Sequence, residues 1–116
     1  MIKREFVNWV KEIGIAITVC DIEGKILEMN DKSSETFAKD GGKELIGQSV
    51  YSCHPERAQK ILRGLLENKQ TNCYTIEKNG IKKLIYQSPW YENGQFKGLV
   101  EFSLVIPFEI PHFIRE

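Results

Sequence analysis

Phe6, Trp9, Val10 and Ile13 fall at i, i+3, i+4 and i+7, the spacing that gathers apolar side chains on one face of a helix. Lys3, Arg4, Lys11 and Glu12 occupy the other face, and Gly14 stands where such a helix would stop. The pattern then changes. "IAITVC", from Ile15 to Cys20, is rich in β-branched residues, and "DIEG" supplies turn chemistry before "KILEM" resumes an extended run; together they predict a β-hairpin. Asn30 offers an N-cap for a short helix through "DKSSETFAK", with Phe37 facing inward and Gly41 and Gly42 ending it.

The segment from Pro55 to Asn68 has the strongest helical periodicity. Ala58, Ile61, Leu62, Leu65 and Leu66 recur at helical spacing, while Glu56, Arg57, Lys60 and Arg63 stay outside. Three extended runs follow, "TNCYTIEK", "IKKLIYQSPW" and "QFKGLVEFSLVI", joined through Asn79-Gly80 and through "ENG" ending at Gly94. Both joints are hairpin signals. The order of elements predicts an α+β domain with an antiparallel sheet of about five strands, helices packed on one face, and an N-terminal amphipathic helix. The expected division is a helix over 1–14, a domain over 15–106 and a Pro-containing tail over 107–116.

Composition narrows the class. The chain has 116 residues, enough for one ordinary domain, with 41% hydrophobic and 28% charged residues, close to average globular usage. Sixteen Lys and Arg balance sixteen Asp and Glu and are interleaved with them, which argues against nucleic acid as a partner. Cys20, Cys53 and Cys73 are widely spaced with no C-x-x-C pair, and the N-terminus carries charges where a signal peptide would be apolar; both point to a reduced, cytoplasmic protein. The most apolar run, "GLVEFSLVIPFEI", is broken by Glu101, Pro107 and Glu109 and is too short to span a bilayer, so no membrane association is expected.

"AITVCDIEGKILEMNDKSSETFAKDGGKELIGQSV" resembles the first half of a PAS domain: a strand, an acidic residue and glycine in a turn, a second strand, and Asn opening a helix ahead of "E-x-x-G". The matching positions are Asp21, Gly24, Ile26, Asn30, Phe37, Leu45, Ile46 and Gly47, with Asn93, Gly94 and Gly98 later, so the resemblance runs from Ile15 to about Phe102. It implies a sensor or interaction module, not an enzyme, whose sheet and short helices enclose a small ligand or a packed core. Two departures stand out. "AKDGG" replaces the glycine and aromatic pair that usually precede "E-x-x-G", and the "D-I-T" that leads into an effector's helix is replaced by "FSLVIPFEIPHFIRE". Pro107 and Pro111 would disrupt a continuing helix; if the chain is the whole protein, its output passes through a partner or a dimer.

"SVYSCHPERAQ", from Ser49 to Gln59, holds the residues closest to chemistry. Pro55 suits the first position of a helix and Glu56 its first turn, with Ser52 to His54 holding the cap. Catalysis by Cys53 and His54 fails on geometry, because neighbouring side chains point apart; a thiol at a helix start could still be redox-sensitive. Zinc would need more ligands than these scattered residues supply, so no metal is expected. Within the resemblance, haem-sensing members carry a histidine on this helix, which keeps His54 as a haem-binding alternative; the flavin motif "N-C-R-F-L-Q" is absent. Tyr74, Tyr86 and Ser88 could be the polar groups of an apolar pocket, and Lys82 and Lys83 read as a solvated edge.

The leading expectation is a cytoplasmic PAS-like sensory module that binds a small molecule or a signalling protein. The pocket would be lined by Ile17, Val19, Phe37, His54, Ile61, Leu65, Tyr86, Ser88 and Val100, and a homodimer would form through Phe6, Trp9, Val10 and Ile13. The alternative is an interaction module with a filled core; a ligand site asks for a cavity of roughly 300 Å³ or more.

Overall fold

The computed structural model of the protein describes residues 5–116 and, within them, all side chains except those of Glu5, Phe6, Val7 and Cys53. Helix α1 (Glu5–Glu12) leads into strands β1 (Ala16–Asp21) and β2 (Ile26–Met29), helix α2 (Asp31–Thr36), three short 3-10 turns, helix α3 (Glu56–Asn68), and strands β3 (Asn72–Lys78), β4 (Ile81–Glu92) and β5 (Gln95–Ile106). The strands form one antiparallel five-stranded sheet in the order β2-β1-β5-β4-β3, as the pattern of elements predicts.

The hairpins follow from their turn residues. Asp21 Oδ1 accepts from the amides of Glu23 and Lys25 at 2.9 and 2.8 Å, closing the β1–β2 turn around Gly24, whose φ is 86°. Asn79-Gly80 and Asn93-Gly94 both have positive φ at each residue, the geometry whose twist matches that of the strands it joins. Gly98 does different work. It lies where β5 crosses β1 so closely that a Cβ would collide with the backbone of Cys20 and Asp21, and Trp90, its partner on β4, reaches across to donate its indole N–H to the Cys20 carbonyl at 3.0 Å.

Asn30 caps α2 as its place in the sequence predicts, its side chain accepting from Ser33 N. The helix stops at Thr36, before the glycines, because from Phe37 the chain tightens: the amides of Asp40, Glu44 and Ile46 each bond three residues back. α3 begins one residue later than expected, at Glu56, with Pro55 at the N-cap in an extended conformation. Its buried stripe is Leu62, Leu65 and Leu66, which join Cys20, Ile26, Met29, Leu45, Val50 and Leu99 in the core. Ile61 stands at the edge of that stripe and is 52% exposed.

Asn30 carries more than a cap. Its Oδ1 accepts from Ile17 N at 2.9 Å and Ser33 N at 3.0 Å, while its Nδ2 donates to the carbonyls of Val10 and Ile15 at 2.9 and 2.8 Å. One buried amide, 7% exposed, thereby joins α1, β1 and α2. A carboxylate in its place keeps the two acceptor bonds and loses both donors. Asn30→Asp should therefore raise hydrogen exchange across α1 before the rest of the fold, and Asn30→Ala should lower global stability by roughly 3 kcal/mol; equal protection of α1 in wild type and Asn30→Asp would show that the helix is held by something else.

Candidate functional site

Residues paired directly across a sheet share a face, so the register assigns the two faces. Thr18 pairs with Glu101 and Glu101 with Gln87, while Cys20 pairs with Leu99. These side chains face the helices and enclose a cavity of about 60 Å³ with Ile26, Met29, Phe37, Leu45, Val50, Leu62 and His54. Ile17 pairs with Phe102 and Phe102 with Tyr86; Val19 pairs with Val100 and Val100 with Ser88. These fall on the opposite face.

The structure brings some of the residues expected in a pocket to this cavity and places others elsewhere. Phe37 and His54 line the cavity. Ile17, Val19, Tyr86, Ser88 and Val100 alternate as expected but belong to the other side of the sheet, because a period of two defines two faces without fixing which one the helices cover. Leu65 is core without bordering the cavity, Ile61 is half exposed, and Tyr74, 43% exposed, lies on the cavity-side face beyond it. Thr18, Cys20, Gln87 and Glu101 were missed. Glu101 had a signal: a charge in the middle of "GLVEFSLVI" is out of place on a strand otherwise rich in apolar residues.

The segment carrying His54 is fixed from β2. The amide of Ile26 donates to Gln48 O at 2.8 Å, Gly47 N to Ile26 O at 2.7 Å and Val50 N to Gly24 O at 2.7 Å, so the turn Val50–Cys53 sits against the hairpin. His54 Nδ1 lies 2.6 Å from Val50 O; a carbonyl only accepts, so Nδ1 carries the proton. The His54 carbonyl in turn accepts from Gln59 Nε2 at 2.9 Å. His54 is therefore part of the start of α3 and a wall of the cavity together. The side chain of Cys53 lies outside the described residues.

The polar end of the cavity is a short relay. Asn72 Nδ2 donates to Gln87 Oε1 at 3.0 Å and Gln87 Nε2 to Glu101 Oε2 at 2.8 Å. Burial pushes the Glu101 carboxyl up from its ordinary pKa, opposed by the Gln87 hydrogen bond and by the charge on His54. Burial likewise pushes the Cys20 thiol up; a backbone hydrogen bond from Leu99 opposes it, and the charges on Asp21 and Glu101 add to it. Thr18 Oγ1 is engaged with Ser33 Oγ at 2.5 Å, and Ser33 is fully buried.

No protein-family model matches the sequence, and no curated protein matches it. Among solved structures the chain is similar to the PAS domain of a protein from Colwellia psychrerythraea, with 23% identity, 89% of this chain and 95% of that one covered, and a TM-score of 0.66. It is similar to the Aer2 receptor of Vibrio cholerae, described as a dual PAS-haem oxygen sensor, with 15% identity over 80% of this chain and 95% of that one and a TM-score of 0.59. VqmA bound to DPO matches at 14% identity over 91% of this chain and 58% of that one, with a TM-score of 0.70. At such identities the likeness is one of fold, and the fold is that of a PAS domain.

Haem does not fit the site as it stands. A cavity of about 60 Å³ holds about two waters, far short of a macrocycle. Among the described residues no cluster of three or more His, Cys, Asp or Glu side chains could hold a metal ion, and no helix is long and apolar enough to cross a membrane.

The raised Glu101 pKa sets a pH dependence. The folded state holds this proton more tightly than the unfolded chain, so the contribution favours folding below the ordinary glutamate pKa and is lost as pH rises through the raised value. Glu101→Gln should match wild-type stability near pH 4 and exceed it at neutral pH by on the order of 1 kcal/mol, measured by denaturant unfolding. A variant less stable than wild type at neutral pH would show that the carboxylate is compensated within the fold.

Proposed function

We propose that this protein is a PAS-type sensory module of the cytoplasm that takes a small molecule into the cavity between the sheet and its helices and relays occupancy through a homodimer or a signalling partner. The observation that carries the reading is the make-up of the cavity: apolar walls from Ile26, Met29, Leu45, Leu62 and Leu99, with the polar groups of Glu101, Gln87 and His54 converging on it, the composition of a ligand site. The reading is of a binding module and not an enzyme, which the likeness of fold to a PAS domain supports by analogy. VqmA, structurally similar, is described as a dimer from Vibrio cholerae and as bound to DPO, which supports both halves of the proposal by analogy of fold.

For the dimer, Trp9 is 60% exposed and forms an open groove with Val10, Ile17, Val19 and Phe102 on the sheet face away from the cavity. A second copy meeting this surface would bury the apolar stripe that α1 leaves in water. Ile13 is half-buried, and the side chain of Phe6 lies outside the described residues. A second reading rests on the cavity volume: about 60 Å³ is well under the roughly 300 Å³ of a typical ligand site, which favours a filled-core interaction module unless the helices move outward around a ligand.

Native mass spectrometry of protein from its own host separates these readings. The sensory reading predicts a dimer carrying a non-covalent small molecule, reduced to monomer with the sheet intact by Trp9→Glu with Val10→Glu. A ligand-free species that persists on mild desolvation would favour the filled core, a haem mass would overturn the ligand assignment, and a wild type already monomeric at micromolar concentration would remove the dimer.

A further inference from the structure

The hydrogen-bonding capacity of the cavity is one-sided. Gln87 spends one amide N–H on Glu101 Oε2, and its oxygen already accepts from Asn72. Thr18 is engaged with Ser33, and His54 Nδ1 with the Val50 carbonyl. What remains is acceptor capacity on Glu101, whose Oε1 has no partner among the described hydrogen bonds, and the Nε2 side of the His54 ring. Against these stand one N–H of Gln87 and the weakly donating thiol of Cys20. Among the described ion pairs none involves Glu101, although its carboxyl is held in a largely apolar enclosure.

A carboxylate enclosed by apolar walls with no ion pair among the described residues is costly, and a group that relieves it brings both charge and donors. We infer that the cavity is a site for a small primary amine in its ammonium form, with the charged end on Glu101 and a short apolar tail against Met29, Leu62 and Leu99. An ammonium has three donors and no acceptor, which complements the open oxygen of Glu101, whereas an anion would meet Glu101 with like charge. This inference rests on reading the cavity as a ligand site and assigns its chemical class.

The volume of about 60 Å³ admits a fragment of about three heavy atoms, for which roughly millimolar affinity is the ceiling. Ethylammonium, ethanol and acetate are therefore suitable probes, titrated into the full chain and followed through the methyl NMR signals of Met29, Leu62 and Leu99. Ethylammonium should shift these signals saturably, about tenfold or more tighter than ethanol, with no effect of acetate at equal ionic strength. Glu101→Gln, nearly isosteric, should abolish that preference while ethanol still binds. Binding of ethanol or acetate as tight as ethylammonium, or a preference that survives Glu101→Gln, overturns the amine assignment and leaves the cavity as a ligand site of another class. Absence of any saturable shift with all three probes overturns the amine assignment together with the ligand-site reading.

Discussion

One buried amide organises the N-terminal half of this domain. Asn30 bonds at once to the last turn of α1, the linker after it, the start of β1 and the first turn of α2. Its own backbone N–H donates to Ile17 O at 3.1 Å. Because every one of these groups is main chain, the side chain fixes positions and not merely contacts: β1 cannot slide relative to α2 without leaving polar groups unpaired in the interior. The exposed ion pairs of Asp31 with Lys11 and Lys43, at 3.2 and 3.5 Å, lie around this junction and add little by comparison.

From that fixed start the cavity follows. β1 places Thr18 and Cys20 toward the helices, β5 beside it supplies Leu99 and Glu101, and β4 continues the row with Gln87. The helical side is closed by Phe37 and Leu45 from the segment after α2, by Val50 and His54 from the turn pinned to β2, and by Leu62 from α3. Apolar residues supply the walls and the centre of the sheet supplies the polar end. The energetic tension lies there, where enclosure raises the pKa of the Glu101 carboxyl.

The elements were legible in the sequence because each has local chemistry: the Asn30 cap, the paired Asn-Gly turns and the 3.6-residue period of α3. Phe37 and His54 border the cavity because turns and caps fix their positions independently of sheet phase. The strand residues expected there do not, and the cause is physical. Alternation specifies two faces but not which is covered. Here the face away from the cavity carries Ile17, Val19 and Val100 and is itself partly covered, Ile17 being 9% exposed, whereas the cavity side carries Thr18, Gln87 and Glu101, residues that ordinarily mark solvent. The polar end of the cavity inverts the hydrophobic pattern of the strands that build it. Ile61 was misplaced for a simpler reason: the apolar run on α3 is wider than the surface it meets.

The central claim is that the enclosed space lies on the Thr18, Cys20, Leu99 and Glu101 side of the sheet. Xenon enters small apolar cavities without needing a hydrogen bond, so methyl NMR under xenon pressure tests this directly. The account predicts shifts confined to Ile26, Met29, Leu45, Val50, Leu62 and Leu99, with Ile17, Val19 and Val100 unmoved. Shifts centred on the latter three would contradict it and place the cavity on the other face.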